Sequence, residues 1–389
     1  MTDTPSRVPL AEVHDLIAPG EPLPFRVLDG LGRLLLAAGQ RVLNVRQLQA
    51  LLERGACVEY VAVQELRRQR EAAAAGHVGL TPSARKQTFF DAWEQRTWEL
   101  DSLLKRVGHD VAMAQELEAF ADSHIALVDR HIDAALFLCI RQDDRRFALY
   151  GLTHALHTAT VTVLCGHQLG WSADRLRNIV GAALTMNVSM LELQARMAEQ
   201  SDPSTKKQLD QIRSHTVRSA QMLRDSGIAD AAWLSAVEDH HEREGGAGYP
   251  RGLVEVGELA HLLRAADVFM AKISPRALRA PMLPQVAARQ LFQEEKGGPV
   301  AAALIKALGV YPPGDFVKLK NGETAIVVQR AGGGHATIVV TLVNAAGRPV
   351  HGAPRRDTAQ PEFAIAGPLT ERAHLPRVLP EQVYGLVDP

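Results

Sequence analysis

Between residues 88 and 308 the apolar positions return at helical spacing, turn after turn. Trp93, Trp98, Leu103, Leu104 and Val107 form one stripe, and Ile125, Leu127, Ile132 and Leu136 form the next. Leu152, Leu156, Val163 and Leu164 repeat the pattern, as do Leu176, Ile179, Val180 and Leu184, and then Leu209, Ile212, Met222 and Leu223. A helix that buries one face carries its apolar side chains three and four residues apart, so each stripe predicts a helix packed into a core. Strand-like runs are nearly absent from 146–308, which predicts an all-α domain there.

The two ends of the chain follow another period. Residues 25–28 are strand-like, Asp29-Gly30 is a hairpin turn signal, and residues 33–36 return. Asn44 can cap a helix carrying Val45, Leu48, Leu51 and Leu52, with Gly55 at its stop; residues 57–61 read as a closing strand. Residues 63–88 are polar and Ala-rich and read as a linker. After Gly309, the β-branched runs 316–319, 324–328 and 337–343 are separated by Asn321-Gly322 and Gly332-Gly333-Gly334. Strands joined by hairpin turns are expected. The predicted fold is multidomain and mainly α. A small α+β domain covers 1–65, a helical linker region 66–145, an all-α domain 146–308 and a small β-rich domain 309–389.

Composition narrows the setting. A chain of 389 residues with 46% hydrophobic and 22% charged content can bury a sizeable core. The formal net charge of −1 gives no general attraction to DNA or to a membrane surface. Cys57, Cys139 and Cys165 are far apart and odd in number, which suggests a reducing cytoplasm. The first residues lack a basic region followed by an apolar run, so no signal peptide is expected. No apolar stretch reaches the roughly 18–20 residues of a membrane span.

The stretch with the most chemistry runs from His240 to Leu253, HHEREGGAGYPRGL. Two imidazoles and a carboxylate lead into a glycine-rich turn closed by Tyr249-Pro250. Glycines permit close backbone approach, and proline stiffens the exit. Other metal-capable side chains lie in the same helical region, namely His154, His157, His215 and Asp267. A helical bundle can converge such residues onto one interior point.

This stretch resembles the HHExxDGxGYPxGL signature of HD-GYP domains, the bacterial cyclic-di-GMP phosphodiesterase branch of the HD superfamily. The likeness covers about residues 150–340. His157-Thr-Ala-Thr-Val161 is similar to the family's H-S-x-x-V segment, and Arg213-Ser-His215 to its R-x-H segment. Ala266-Asp267-Val-Phe, Ser274-Pro-Arg276-Ala-Leu-Arg279 and Gly309-Val-Tyr311-Pro312-Pro-Gly314 are similar to its later segments. The first 65 residues also resemble a small domain that precedes HD-GYP in some relatives.

The resemblance breaks at the dyad that names the family. Where A-A-L-L-H-D-I-G-K is expected, the chain reads Ala182-Ala-Leu-Thr-Met186-Asn187-Val-Ser-Met190. The aspartate of D-G-x-G-Y-P is Gly245, and the Glu found four residues before the early histidine in some members is Thr153. A neutral carboxamide offers one oxygen and no charge to bridge two cations, and a thioether is a soft, weak ligand beside oxygen donors. The resemblance therefore implies loss of the paired-metal centre. It leaves His215, His240 and His241 as ligands of one ion, with His157 and Asp267 matching ligands of the other. The cofactor is then one divalent ion (iron, manganese or zinc) or none, the histidines being inherited packing. Gly246, Gly248, Tyr249, Pro250, Arg276 and Arg279 are the expected ligand-facing residues, since guanidinium forks pair with phosphate oxygens. The partner implied is cyclic-di-GMP or a related nucleotide, or another signalling protein held through the GYP loop.

Overall fold

The computed structural model describes residues 7–17, 21, 23–30, 32, 34–36, 38, 40, 42, 45–74, 88–142, 147–332, 336–350, 352–370, 375 and 378–385. The chain is mainly helical, with a small sheet towards each end, and its contacts divide it into two compact units, 1–99 with 386–389 and 100–385.

The first unit holds strands β1 (Arg7–Pro9), β2 (Val27–Leu28), β3 (Leu34–Leu36), helix α1 (Val45–Glu53), strand β4 (Cys57–Glu59), helix α2 (Tyr60–Ala74) and the start of α3 (Phe89–Leu104). Its antiparallel sheet has the order β1-β4-β2-β3, with Val58 opposite both Val8 and Val27. Leu10, Phe25, Val27, Leu36 and Val58 share its core. The hairpin between 25 and 36 forms as its alternation predicts. The start of the segment read as a linker is helical: α2 continues to Ala74, and the closing strand stops at Glu59 where that helix begins. Glu, Gln, Arg and Ala are good helix formers, and that propensity outweighs the polarity that suggests a loop. Arg33, Asn44, 75–87 and Gly333-Gly334 lie outside the described residues. Thr88 and Asp91 cap α3 reciprocally. The Asp91 carboxylate accepts from the Thr88 amide and hydroxyl at 3.0 and 2.9 Å, and the Thr88 hydroxyl accepts from the Asp91 amide at 3.2 Å.

The second unit continues with α4 (Ala114–Arg130), α5 (Ile132–Ile140), α6 (Tyr150–Gln168), α7 (Ala173–Thr185), a 3-10 turn (Val188–Met190), α8 (Leu191–Glu199), α9 (Lys206–Asp225), α10 (Ala231–Asp239), α11 (Glu258–Ile273), α12 (Pro284–Glu294) and α13 (Pro299–Leu308). The all-helical reading of 146–308 holds in every element. α6 is the interior helix: from Tyr150 to Gly166 every residue except Thr153 is buried. Two of its buried threonines turn their hydroxyls onto the helix backbone, Thr160 to the Leu156 carbonyl and Thr162 to the Ala159 carbonyl, both at 2.8 Å, so these two polar side chains enter the core satisfied. A Cβ on Gly166 would lie 2.6 Å from Leu176, so this glycine sets how closely α6 and α7 approach.

Strands β5 (Phe316–Leu319), β6 (Thr324–Gln329), β7 (Ile338–Val343), β8 (Arg355–Asp357) and β9 (Ile365–Pro368) form an antiparallel sheet in the order β8-β7-β6-β5-β9. Period-2 alternation sends Phe316, Ile326, Val328 and Val340 to one face and Val317, Ala325, Val327 and Val339 to the other, and both faces are buried. Helix α14 (Pro380–Tyr384) brings Tyr384 to the first face, where its hydroxyl donates to the Val328 carbonyl at 2.7 Å and its ring meets Phe137 edge-on.

Candidate functional site

The site grows from the far end of α10. Asp230 caps the start of that helix, accepting from the amides of Ala232 and Trp233 at 2.9 Å. Trp233, 1% exposed, donates to the Thr185 hydroxyl at 3.0 Å, which seats α10 against the end of α7. Gly181 makes room, for a Cβ there would lie 2.2 Å from the indole. α10 ends at His240, its C-cap, and His241 begins the following turn. Leaving the helix at this point lets two adjacent imidazoles turn towards one place, although successive helix residues point about 100° apart.

His215 on α9 completes the group. One nitrogen from each of His215, His240 and His241 lies within 4.8 Å of the other two. Nε2 of His215 is 3.2 Å from Nε2 of His240. The opposite nitrogen of each ring meets a backbone carbonyl, Nδ1 of His215 at Ile212 (2.5 Å) and Nδ1 of His240 at Val237 (2.7 Å). A carbonyl only accepts, so both Nδ1 atoms carry the hydrogen and each neutral ring turns an Nε2 lone pair inward. Burial keeps the rings neutral: His215 is pushed down to about 3, by burial first and His240 second, and His240 and His241 are lowered chiefly by burial. Tyr249 stacks on His241 with centroids 4.7 Å apart, which brings the GYP loop onto the cluster.

That loop is organised by Glu242, a residue that the sequence motifs do not single out as a site residue. It is 1% exposed, and its carboxylate accepts from the amides of Arg251, Gly252 and Leu253 at 2.5, 3.1 and 3.0 Å. Its position between the histidine pair and the glycine-rich turn is the signal that could have found it. Gly246 has φ 82°, which suits glycine, and a Cβ on Gly248 would sit 2.3 Å from the Arg243 amide nitrogen. Pro250 is exposed and follows Tyr249 through a cis peptide bond.

Asp267 on α11 meets His154. Nε2 of His154 lies 2.7 Å from Oδ1 of Asp267, whereas His157, one turn further along α6, is buried and is lowered to about 3 by burial and then by His154. His157, matched to the other ion, lies outside the three-histidine group. Burial works to raise Asp267, but the hydrogen bond and charge of His154, with His241 and His240 behind, hold it well below the usual carboxylate range. Tyr150 stacks on His154 with centroids 5.5 Å apart and planes 10° from parallel.

Met186 is fully buried at the C-cap of α7, and Asn187 is 4% exposed with an Oδ1 that has no hydrogen-bond partner among the described residues. The turn after them is pinned to α9: the Ser189 hydroxyl donates to the His215 carbonyl at 3.0 Å. Met190, half-buried, lines a cavity of ≈ 750 Å³ with Ser189 and Met222. The two arginines expected to face a phosphodiester stand in one tight turn, the Arg276 and Arg279 backbones pairing at 3.2 and 3.3 Å. Arg276 donates through Nε and Nη2 to the Tyr150 hydroxyl, and Arg279 donates to the Ala271 carbonyl.

Residues 132–297 match the family model described as HD domain. The match begins in α5, ahead of the boundary expected at 146. The chain is 26% identical over 228 residues to cyclic di-GMP phosphodiesterase PA4108 of Pseudomonas aeruginosa, covering 57% of this chain and 53% of that protein. It is 22% identical over 186 residues to cyclic di-GMP phosphodiesterase PdeB of Borreliella burgdorferi, covering 46% and 49%. The chain thus spans about half the length of the curated relatives it matches. Among solved structures, Bd1817, an HDG"Y"P protein from Bdellovibrio bacteriovorus, is similar with a TM-score of 0.49 and 15% identity, covering 78% of this chain and 98% of that one. Among the described residues no helix is long and apolar enough to cross a membrane.

Proposed function

We propose that the HD domain of this chain binds cyclic-di-GMP or a related nucleotide as a signalling module, holds at most one divalent ion, and hydrolyses its ligand weakly or not at all. The observation that carries this reading is the contrast between two neighbouring donor sets. Three imidazoles converge, the buried His215 and His240 with lone pairs inward and the half-buried His241 beside them, while the turn held against His215 offers a thioether at Met186 and a neutral carboxamide at Asn187.

The first set fits an ion. A tetrahedral ion about 2.0–2.1 Å from each nitrogen sets its ligand nitrogens roughly 3.3 Å apart, and His215 and His240 stand 3.2 Å apart. Their Nδ1 hydrogens are already committed to carbonyls, and such a bond fixes the ring so that its other nitrogen aims at a metal. An ion bound there supplies Lewis acidity towards a phosphoryl oxygen. The second set does not fit. Asn187 brings no charge to bridge a pair of cations, and Asp267, the remaining carboxylate, is engaged by His154. Without a paired site there is no clamp on both the attacking and the leaving oxygen. Recognition is better provided for. The ordered loop through Gly246, Gly248, Tyr249 and Pro250 lies beside the histidines, and Arg276 and Arg279 share one turn. The names of the relatives support a cyclic dinucleotide as the ligand. Three free, buried cysteines favour a reducing compartment, the cytoplasm.

The deciding measurement takes metal content and cyclic-di-GMP binding from the same sample. One ion or fewer per chain, measurable binding and no product would support the reading; no binding at high micromolar ligand would remove it. Turnover lost in His240→Ala would assign instead an active phosphodiesterase working from His215, His240, His241 and Asp267. A protein partner lost on Tyr249→Ala, with nucleotide irrelevant, would assign a scaffold.

A further inference from the structure

Arg276 is held in place by a residue that none of its neighbours in sequence suggests. Tyr150 opens α6, is 7% exposed, and lies with its ring parallel to His154. Its hydroxyl oxygen accepts from Nε of Arg276 at 3.1 Å and from Nη2 at 2.6 Å, so a single oxygen occupies one whole edge of the guanidinium. The backbone around the arginine is fixed as well, by its turn with Arg279 and by the Ala277 amide, which donates to the Ala198 carbonyl at 2.8 Å. A guanidinium presents donors along more than one edge. With the Nε–Nη2 edge taken, the Nη1–Nη2 edge is left for a second acceptor, and paired parallel bonds to phosphate oxygens are the contact such an edge makes best. An arginine already held by one edge loses less side-chain freedom on binding than a free one.

We propose that Tyr150 is a positioning residue for ligand binding. Its hydroxyl presets Arg276 so that the outward edge of the guanidinium takes a phosphodiester, and its ring ties that arginine to His154 and, through it, to Asp267. The inference rests on the reading of the domain as a cyclic-di-GMP binder. It adds that the phosphate-facing arginine and the buried His154–Asp267 pair are mechanically linked through one phenol.

The test uses the full chain as wild type, Tyr150→Phe, Arg276→Ala and the double variant. Calorimetry with cyclic-di-GMP should show Tyr150→Phe weakened roughly ten- to hundredfold, the effect of one hydrogen bond to a charged group. Its metal content should be unchanged, because the ring and its stacking on His154 remain. The double variant should bind no more weakly than Arg276→Ala. Millimolar guanidinium should partly restore Arg276→Ala when Tyr150 is present and fail to do so with Phe. Tyr150→Phe binding as well as wild type, or additive losses in the double variant, would overturn the proposal. The Nε–H resonance of Arg276 in the ligand-free protein is an independent readout. A protected signal in wild type that is lost in Tyr150→Phe supports the role, and a freely exchanging signal in wild type overturns it. If the wild type binds no cyclic-di-GMP the functional reading fails, and this resonance still decides whether Tyr150 holds the guanidinium.

Discussion

His215 and His240 face each other Nε2 to Nε2 at 3.2 Å, while each commits its Nδ1 hydrogen to a carbonyl of its own helix. Two inward lone pairs at that distance repel, and burial keeps protons from bridging them. A cation between them relieves the repulsion. Saturation with a zinc-like ion should therefore raise the melting temperature by roughly 5–10 °C, and a chelator should reverse it. His240→Ala should abolish both the shift and the bound metal. Calorimetry alongside elemental analysis checks this, and an unchanged melting temperature with metal present would contradict it.

Asn187 has a buried side-chain oxygen with no partner among the described residues, next to a fully buried Met186. Asn187→Asp combined with Met186→His supplies a carboxylate and an imidazole at these two positions. Bound metal should rise from about one ion per chain towards about two, with a linear dinucleotide appearing from cyclic-di-GMP. Elemental analysis and chromatography of the products would show it. A folded double variant that gains neither metal nor product would mean that the turn does not limit hydrolysis.

Glu242 satisfies three consecutive amides from a buried position. Glu242→Ala leaves those amides without an acceptor and should cost on the order of 2–3 kcal/mol. Glu242→Gln, which keeps one acceptor oxygen, should cost less. Amide exchange at Arg251, Gly252 and Leu253 should accelerate in step with the loss. Exchange that stays slow in Glu242→Ala would show that the loop holds its shape without the carboxylate.

Glu295 bridges His261 and Arg264. Burial works to raise its pKa, but the hydrogen bond from His261 and the charge of Arg264 together bring it below the ordinary 4.5. A carboxylate depressed in the folded state contributes stability that is present above its unfolded value and is lost as pH falls through the folded one. Glu295→Gln should thus destabilise the protein near neutrality, with the gap to wild type closing below about pH 4.5 as acid titrates the wild-type side chain. Denaturant melts across pH would measure the gap; one that persists unchanged at pH 3 would argue against an electrostatic contribution.

The sequence by itself determined the helical region, the β-rich stretch after it and the residues proposed for the candidate site. Helical spacing of apolar residues is local, and so is period-2 alternation; each needs only one element to be read. His240-His241 and the glycine-rich turn were legible because they are contiguous, and His215 because its segment matches a known pattern. Helix α2 carries good helix formers, but its polarity reads equally as a linker, and it has no long apolar stripe to decide between the two. Tertiary structure alone set which of His154 and His157 meets Asp267. They lie one turn apart on a helix buried nearly all round, so periodicity assigns neither a facing partner, and only the placing of α11 brought Asp267 to His154. The same holds for Tyr150 and Arg276, and for Glu242 and the amides it gathers. A hydrogen bond between distant segments depends on where packing sets two backbones to within an ångström, and no one-dimensional pattern carries that distance.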